Sequence, residues 1–308
     1  MGQTLTEKAS SPTSAELAWG RRYLLVRPDH FRVDYRINPY MDLADQPDAA
    51  LARAQWDGLV AALVGAGASV ESFDQPADAP DMVYAMNLGL AVTLESGAPL
   101  AVMSHMRFAE RRRETESARR WFVSRGFGPS YIGRDGVGAH FEAGDAFPCG
   151  DALVVGFSPR TDELGLKAVA TELGVRVRGL RITHPGMYHL DLAFCPLDRD
   201  RALVCPAAFD DASAQALLAL VPDPLVLTEA EALTFCANAV VVGRTVLMPA
   251  CPDRVRGILE GWGFDVVLVE VGEFHKGGGS VRCLTNPLDI VVGRDLPAVP
   301  GGEVLLPL

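Results

Sequence analysis

One pattern recurs five times along the chain and constrains the fold more than any other feature. A stretch that favours a helix closes at a glycine or proline, and an apolar stretch rich in β-formers follows it. The closing positions are 67, 126, 174, 222 and 263, so units of about 50 residues stand in series. Such units are typical of a propeller or an array rather than of two Rossmann halves, and a single doubly wound sheet is the alternative.

Each unit is predicted to contain strands, a helix and a returning strand. The helix and returning-strand pairs are expected at residues 59–67 and 68–73, 115–126 and 128–132, 161–174 and 175–182, 212–221 and 224–227, and 252–263 and 264–271. Further apolar runs precede several helices, at residues 23–26, 82–94, 152–157 and 239–248. We expect an α/β protein in which five units close around a central site, with one domain over residues 21–308 after a flexible segment at residues 1–20.

Composition and charge narrow the classes of partner. Hydrophobic residues make up 49% of the 308 residues, which is enough for a sizeable core. A formal net charge of −11 argues against nucleic acid and is compatible with a small cationic substrate. No segment approaches 18 uncharged apolar residues, so neither a membrane span nor a signal peptide is expected. We expect a cytoplasmic protein, and a homo-oligomer is compatible with the sequence.

The six cysteines include no C-x-x-C pair, and Cys195, Cys205 and Cys236 sit inside apolar runs. That usage is typical of reduced, buried thiols, so we expect no structural zinc, no catalytic metal and no cofactor.

A sixth cysteine, Cys283, follows the run Gly277-Gly278-Gly279. Glycines permit positive φ and remove Cβ bulk, so the backbone here can approach a ligand closely. The run lacks G-x-G-x-x-G spacing and no clear helix follows, so it is not a phosphate loop. A thiol in this place is interpreted as a nucleophile if a histidine and a carboxylate lie near it in the fold, and otherwise as a buried free thiol.

His189 and Glu142 are the candidates for those partners. His189 is preferred to His184 because Asp191 follows two positions later and, in a strand, points to the same face. His184 precedes a proline and is interpreted as a turn residue. Asp145, three residues after Glu142, is expected to bond the turn at the intervening glycine rather than to bind substrate.

Five short motifs in one order give the chain a family resemblance. They are DMVYAMN at 81–87, RRRE at 111–114, EAGD at 142–145, HLD at 189–191 and GGGSVRC at 277–283. Together they resemble the guanidino-group-modifying enzymes of the pentein superfamily, which include arginine deiminases, dimethylarginine dimethylaminohydrolases, arginine dihydrolases and amidinotransferases. The resemblance covers nearly the whole chain from Arg27 onward and implies a five-bladed α/β propeller.

The resemblance implies a covalent mechanism at the guanidinium carbon. Cys283 matches the nucleophile that forms a thiouronium intermediate, and His189 matches the acid/base that protonates the leaving amine and then activates water. Glu142 matches the carboxylate that orients His189 and contacts the guanidinium, and the sequence does not divide those two roles.

The resemblance also implies binding residues. Asn87 and Asp191 match the acceptors for the guanidinium N–H groups, and Arg111 and Arg160 match a clamp for the substrate carboxylate. Asp81 is a brace or a contact at the same site. The ordinary interpretation of Arg111, within the charged stretch 107–120, is a solvated helix face.

Asparagine at two positions favours one branch of the superfamily. Deiminases and dimethylargininases usually carry Asp where this chain has Asn87, whereas dihydrolases carry Asn there and a second Asn near the N-terminus, matched by Asn38. Asn38 is otherwise a turn residue before Pro39. The first hypothesis is hydrolysis of arginine to ornithine, carbon dioxide and ammonia. The alternatives are dimethylarginine hydrolysis to citrulline and dimethylamine, then amidino transfer, then a non-catalytic binding protein on the same fold.

Overall fold

The computed structural model describes residues 16–307, so most of the predicted flexible segment lies outside the described residues. Within that range, Trp19 is already buried. The strands of the described residues are β1 Arg22–Val26, β2 Ser69–Phe73, β3 Gly89–Thr93, β4 Pro99–Met103, β5 Gly128–Tyr131, β6 Gly133–Arg134, β7 Val137–Gly138, β8 Ala146–Cys149, β9 Ala152–Phe157, β10 Arg176–Arg181, β11 Phe194–Pro196, β12 Arg201–Val204, β13 Asp223–Val226, β14 Val240–Val242, β15 Thr245–Met248, β16 Asp265–Leu268, β17 Asn286–Pro287, β18 Ile290–Val291 and β19 Glu303–Leu305.

Helices alternate with these strands. The α-helices are α1 Ala49–Gly65, α2 Ala109–Arg112, α3 Glu114–Ser124, α4 Glu163–Leu173, α5 Asp211–Leu220, α6 Glu229–Ala232, α7 Asp253–Gly261 and α8 Gly272–His275. Short 3₁₀ turns occur at Pro80–Val83, Ala85–Leu88, Ala143–Asp145, Leu190–Leu192 and Pro206–Ala208.

The closing glycines of the sequence pattern end helices as predicted. Gly67, Gly126, Gly174 and Gly263 have φ of 95°, 85°, 60° and 78°, a region that L side chains rarely adopt. Three of the helices also begin with an aspartate whose side chain accepts a backbone N–H, at Asp48, Asp162 and Asp210. Local chemistry therefore sets both ends of several units.

Five separate sheets of three or four strands are formed, together with the two-stranded ribbon β6-β7. Each sheet contains a parallel pair joined through a helix: β1 and β2, β4 and β5, β9 and β10, β12 and β13, and β15 and β16. An antiparallel strand precedes or completes each pair. The predicted unit of strands, helix and returning strand is confirmed, and the alternative of one doubly wound sheet is wrong.

The C-terminal strands return to earlier sheets. β17 pairs with β1, β18 with β3 and β19 with β10, so residues after 285 complete the first three sheets. The largest apolar cluster runs through several sheets and includes Val92, Val154, Phe194 and Val246. Among residues 16–307, no helix combines the length and the apolar character that crossing a membrane requires.

Candidate active site

The polar residues of the site share one structural position, two to four residues before the antiparallel strand of a sheet. Asn87 precedes β3, Glu142 precedes β8, Asp191 precedes β11, Asn238 precedes β14 and Cys283 precedes β17. All five are buried, with at most 4% of their surface exposed. Five units therefore each contribute one buried polar side chain or thiol, and four of the five were predicted from the sequence.

A small enclosed space, the front cavity, lies where these segments meet. Its accessible volume is about 10 Å³, enough for a single water molecule. It is lined by Ile37, Asn38, Asp81, Tyr84, Asn87, Arg111, Arg160, Tyr188, His189, Gly277, Gly279 and Cys283. Seven of the nine residues predicted from the sequence line this cavity, and the other two, Glu142 and Asp191, bond side chains that line it.

Glu142 holds two of the cavity residues through one carboxylate oxygen. Its Oε2 accepts from His189 Nε2 at 2.8 Å and from Arg160 Nη1 at 3.1 Å, while Oε1 accepts the Arg107 backbone N–H at 3.1 Å. Because an ionised carboxylate only accepts, the hydrogen of the imidazole lies on Nε2 and Nδ1 is the nitrogen without a described protein partner. This arrangement orients His189.

Burial and ion pairing shift the pKa values of Glu142 and His189 in opposite directions. Burial favours the neutral carboxyl of Glu142, but the charge of Arg160 and the hydrogen bond from His189 lower its pKa below its usual range. Burial lowers the pKa of His189, but the charge of Asp145 and the hydrogen bond to Glu142 outweigh it and raise that pKa. A charged imidazolium–carboxylate pair is therefore favoured.

The Cys283 thiol faces an acceptor and a donor. Its Sγ lies 3.3 Å from Asp191 Oδ2, and Asn238 Nδ2 donates to Sγ at 3.2 Å. Burial, followed by the negative charge of Asp191, raises the pKa of Cys283 well above its usual value. The substrate-free protein therefore holds a thiol, whose proton has Asp191 as its acceptor.

Asn238 was missed by sequence reasoning. Its Nδ2 also donates to the Asp191 carbonyl at 2.9 Å, and its Oδ1 accepts the backbone N–H groups of Arg282 and Cys283 at 3.0 and 3.2 Å. One amide thus ties the nucleophile to the Asp191 segment. Its position shortly before an antiparallel strand, like that of Asn87, is the signal that could have found it.

Asn87 and Asp191 present different groups near the thiol. Asn87 Oδ1 accepts the Gly144 backbone N–H at 2.8 Å, which leaves Nδ2, a donor, without a described protein partner. Asp191 Oδ1 is buried and has no hydrogen-bond partner among the described residues. A free amide donor of Asn87 therefore lines the cavity, and a free carboxylate oxygen of Asp191 lies on the residue that the Cys283 thiol bonds.

Arg111 is buried, and its interpretation as part of a solvated helix face is wrong. Only 3% of its surface is exposed, and Nε and Nη2 donate to the two oxygens of Glu114 at 2.7 and 2.8 Å. Nη2 also donates to the Asp81 carbonyl at 3.1 Å. Glu114 lies one helical turn later, at the i+3 spacing that pairs side chains on one face.

Asp81 lines the front cavity from the same side as Arg111. Its Oδ1 is buried and unpaired among residues 16–307. Burial raises the pKa of Asp81 to about 6, against the lowering effect of Arg111.

The three glycines before Cys283 make room for protein side chains. A Cβ at Gly277 or Gly279 would lie within 2.5 Å of Tyr84, and one at Gly278, whose φ is +90°, would meet Asn38. Close packing against Tyr84 and Asn38 therefore requires glycine here, and Gly277 and Gly279 also line the front cavity, where close approach to a ligand stays a prediction. The Tyr84 hydroxyl donates to the Phe274 carbonyl at 2.6 Å.

Asn38 belongs to the irregular segment 27–48, which covers the front cavity. Its Nδ2 donates to the Gly277 carbonyl at 2.9 Å, and its Oδ1 accepts the Tyr40 backbone N–H at 3.0 Å. Two further hydrogen bonds connect this segment, here called the cover, to the rest of the protein. Arg160 Nη2 donates to the Ile37 carbonyl at 2.7 Å, and the Tyr40 hydroxyl donates to the Gly186 carbonyl at 2.9 Å. Asn38 therefore lines the front cavity and also forms the turn before Tyr40, so both interpretations of its position apply.

Two other expectations have clear outcomes. His189 and Asp191 do not lie in a strand, because Leu190–Leu192 is a 3₁₀ turn that places them. Asp145 has structural hydrogen bonds, but to distant segments rather than to the expected turn at Gly144: its Oδ1 accepts the Leu190 N–H at 2.9 Å and its Oδ2 accepts Thr161 Oγ1 at 2.6 Å.

The remaining histidines and cysteines lie outside this constellation. His184 accepts two backbone N–H groups within its own turn, and His275 stacks on Phe235 with ring centroids 4.4 Å apart. All six cysteines are free thiols. Residues 16–307 contain no group of three or more histidine, cysteine or carboxylate side chains arranged to hold a metal ion.

Comparisons with known proteins agree with this geometry. A family model described as N,N dimethylarginine dimethylhydrolase, eukaryotic, matches residues 27–290. The N(G),N(G)-dimethylarginine dimethylaminohydrolase of Mycobacterium tuberculosis is 35% identical over 265 residues, which cover 86% of this chain and 85% of that protein. The bifunctional arginine dihydrolase/ornithine cyclodeaminase AgrE of Nostoc is 33% identical over 86% of this chain, which spans only 37% of that protein.

Solved structures give the same relationship. Unliganded AgrE superposes with a TM-score of 0.83 and 32% identity over 90% of this chain and 40% of that chain. The N-terminal domain of ArgZ, an arginine dihydrolase from the ornithine–ammonia cycle in cyanobacteria, was solved bound to product; its TM-score is 0.82 at 31% identity, over 90% of this chain and 99% of that one. Pentein-type α/β architecture, together with the match to dimethylargininases and arginine dihydrolases, defines a cysteine-dependent guanidino hydrolase. The chain belongs to the N,N-dimethylarginine dimethylhydrolase family.

Proposed function

We propose that this protein hydrolyses arginine to ornithine, carbon dioxide and two molecules of ammonia, with consumption of two water molecules. The observation that carries the proposal is Asn87, whose Oδ1 is committed to Gly144 and whose Nδ2 remains free to donate. Asn38 is the second asparagine at the same cavity. Similarity to AgrE and ArgZ, both named as arginine dihydrolases, supports this choice.

The proposed first step is attack of Cys283 on the guanidinium carbon. The thiol loses its proton when the cationic substrate arrives, because that cation offsets the burial and the negative charge that raise the pKa of Cys283. Asp191 Oδ2, 3.3 Å from Sγ, accepts the proton, and the free Oδ1 accepts a guanidinium N–H. A tetrahedral adduct forms.

His189 completes the first hydrolysis. The imidazolium, favoured by Glu142, gives its proton to the departing nitrogen, so ammonia leaves and a thiouronium remains on Cys283. The neutral imidazole then takes a proton from water, whose oxygen attacks the same carbon. Loss of the thiolate gives citrulline and restores the pair.

Asn87 is proposed to permit the second round. An Asp here would bind a cation strongly and a neutral ureido group poorly, whereas the amide Nδ2 donates to the ureido oxygen of citrulline as that oxygen forms. Citrulline is thereby retained and attacked again by Cys283. The second hydrolysis releases ammonia and a carbamate, which loses carbon dioxide to leave ornithine.

Arg111 and Arg160 are proposed to bind the α-carboxylate of the substrate. Both line the cavity while their other nitrogens are held by protein oxygens, which presets their orientation. Asp81 is proposed to brace this end of the site through its carbonyl contact with Arg111.

Substrate entry requires the cover to move. The front cavity has about 10 Å³ of accessible volume, and an amino acid the size of arginine needs much more. The hydrogen bonds of Asn38 and Tyr40 are the contacts that opening would break.

A further proposal concerns the architecture. The five sheets form a closed five-bladed propeller within one domain over residues 21–308, since β17 joins the first sheet and all five units reach one site.

A second candidate is hydrolysis of dimethylarginine to citrulline and dimethylamine, which the family model and the relative from Mycobacterium tuberculosis favour. Incubation with arginine and with asymmetric dimethylarginine, beside a Cys283→Ser control, separates the two when products are identified by mass spectrometry. Ornithine from arginine supports the proposal, and dimethylamine with citrulline supports the second candidate. In Asn87→Asp, the ratio of ornithine to citrulline should fall, and an unchanged ratio would refute the role given to Asn87.

A further inference from the structure

Arg282, the residue before the nucleophile, is a buried cation with an unusual lack of partners. Only 2% of its surface is exposed, and its Nε and Nη2 have no hydrogen-bond partner among residues 16–307. Every other buried arginine of the described range donates to a carboxylate: Arg111 to Glu114 and Arg160 to Glu142. Because burying an unpaired charge has a large desolvation cost in free energy, a hydrogen-bond acceptor of negative charge is expected near this guanidinium.

The surroundings of Arg282 are aromatic and apolar. Its guanidinium lies 4.7 Å from the centre of the Phe147 ring and 5.8 Å from that of Trp19, within range of cation–π attraction. Burial lowers the pKa of Arg282, and Tyr23, Asp191 and nearby thiols oppose the shift. Aromatic faces reduce the cost of burial but accept no N–H hydrogen bond of ordinary strength.

A second enclosed space, the rear cavity, borders this guanidinium. It is lined by Trp19, Tyr23, Phe147, Cys195, Pro196, Ala239, Val240, Val241 and Arg282. Its accessible volume is about 10 Å³, the space of a single water molecule, so a larger monatomic occupant requires a small outward shift of the lining side chains. No carboxylate is among the lining residues.

The polar side chains that line this cavity are hydrogen-bond donors, and of these the Cys195 thiol already donates to the Pro196 and Ala239 carbonyls at 3.6 and 3.5 Å. Burial raises the pKa of Tyr23, so its hydroxyl remains protonated, and burial likewise raises the pKa of Cys195 to about 12. Arg282 donates only. An occupant that accepts hydrogen bonds and carries one negative charge matches both the chemistry and the charge of this lining.

Trp19 lines both the rear cavity and a larger, open cavity, whose other lining residues include charges of both signs such as Asp198, Arg199 and Asp295. Displacement of the Trp19 side chain is the proposed entry path for a small ion.

We propose that the rear cavity is a binding site for one small inorganic anion of the halide class, held by Arg282 and the Tyr23 hydroxyl directly behind the nucleophile. Binding itself is independent of the function proposed above. Its consequence for Cys283 rests on that function: the anion neutralises the cation nearest the thiol in sequence, so the thiolate is less stabilised and the nucleophile is weaker when the site is occupied.

Diffraction from crystals soaked in sodium bromide tests the site without any variant or substrate. The expected result is an anomalous peak in the rear cavity, within hydrogen-bond distance of the Arg282 guanidinium and the Tyr23 hydroxyl. A rear cavity that holds only a water, or that stays empty while bromide is found at other arginines, overturns the proposal. Failure of catalysis would leave this result unaffected.

A solution experiment tests the link to the nucleophile. Alkylation of Cys283 by iodoacetamide at pH 7, followed by mass spectrometry of its peptide, should slow about threefold and then saturate as chloride replaces gluconate at constant ionic strength. Fluoride, which is held by its hydration shell, serves as the control anion. Arg282→Met should remove the chloride dependence, and Tyr23→Phe should weaken it while retaining the cation. Equal chloride dependence in the wild type and Arg282→Met would refute the link.

Discussion

The front and rear cavities are lined by two consecutive residues, Cys283 in front and Arg282 behind, and their buried arginines have different partners. At the front cavity, each buried arginine donates to a carboxylate: Arg111 to Glu114, and Arg160 to Glu142, which also holds His189. In the rear cavity, Arg282 is surrounded by aromatic rings and has no carboxylate. The ion pairs at the front cavity fix the orientation of the side chains proposed for catalysis. At the rear cavity, the guanidinium of Arg282 has no ion-pair partner among the described residues and is therefore available to a bound ion.

Two arginines that are almost fully buried are therefore expected to affect the free energy of unfolding differently when they are mutated. Removing one member of a buried pair leaves its partner charged and unsatisfied, while removing a lone buried charge relieves desolvation. The contrast makes Arg160 and Arg282 a matched pair for mutation, since 4% and 2% of their surfaces are exposed.

The largest effect is expected at the thiol that lies between the two cavities. Cys283→Ser should lower kcat by about 10⁴-fold or more, because a serine hydroxyl is a far weaker acid than a thiol and the Asp191 carboxylate is too weak a base to deprotonate it. Substrate should still bind to the variant, measured by calorimetry, because the front pairs remain intact. Turnover at a tenth of the wild-type rate would contradict the covalent mechanism.

The pair formed by Glu142 and His189 is expected to affect the pH dependence of kcat. Glu142→Gln removes a hydrogen-bonded negative charge that helps to raise the pKa of His189, so the imidazolium loses its proton at lower pH. The alkaline limb of kcat should therefore move to lower pH, and kcat at its optimum should fall by about 10²-fold. Chemical shifts of His189 titrated by NMR check the direction, and a limb that moves upward would break the pairing argument.

The arginine comparison predicts stability changes of opposite sign. Arg160→Met should reduce the free energy of unfolding by about 3–5 kcal/mol, because Glu142 is left charged and buried. Arg282→Met, in chloride-free buffer, should leave it unchanged or raise it by about 1–4 kcal/mol. Urea unfolding at one pH measures both variants side by side. Equal destabilisation would remove the distinction between the cavities.

The smallest effect concerns access to the front cavity. Tyr40→Phe removes the hydrogen bond to the Gly186 carbonyl, a contribution of about 1 kcal/mol, so the cover should open about fivefold more often. Iodoacetamide labelling of Cys283 should accelerate accordingly. Tyr131→Phe, at a partly exposed strand residue, is the matched control and should label at the wild-type rate. Unchanged labelling in Tyr40→Phe would show that the cover does not limit access.

Much of the fold could be predicted because its signals are local. Gly67, Gly126, Gly174 and Gly263 end helices through positive φ, and most of the apolar runs between them became strands within a few residues of the predicted limits. The run at 82–94 is an exception, because it is a strand only from Gly89, and the helix predicted at 59–67 begins ten residues earlier, at Ala49. The polar residues that interrupt those runs, including Asn87, were identified because buried polar groups need a reason. Seven of the nine predicted site residues line one cavity.

Other features depended on contacts between distant segments. Arg111 carries the same charge pattern as its exposed neighbours, and only packing against Asp81 and Glu114 buries it. The glycines before Cys283 are required by Tyr84 and Asn38, which lie about 190 and 240 residues earlier in the chain. Asn238 was missed because its role exists only once Asp191 and Cys283 are brought together.

The sequence alone determined the repeating α/β unit, its helix ends and the residue types available for guanidino chemistry, because propensity, capping and hydrophobic period act over a few positions. The tertiary structure decided which charges are paired. Ionisation of Cys283, His189 and Glu142 depends on burial and on partners from other units, and the same burial leaves Arg282 alone. Electrostatic energies are set by distance and desolvation, which no local pattern encodes.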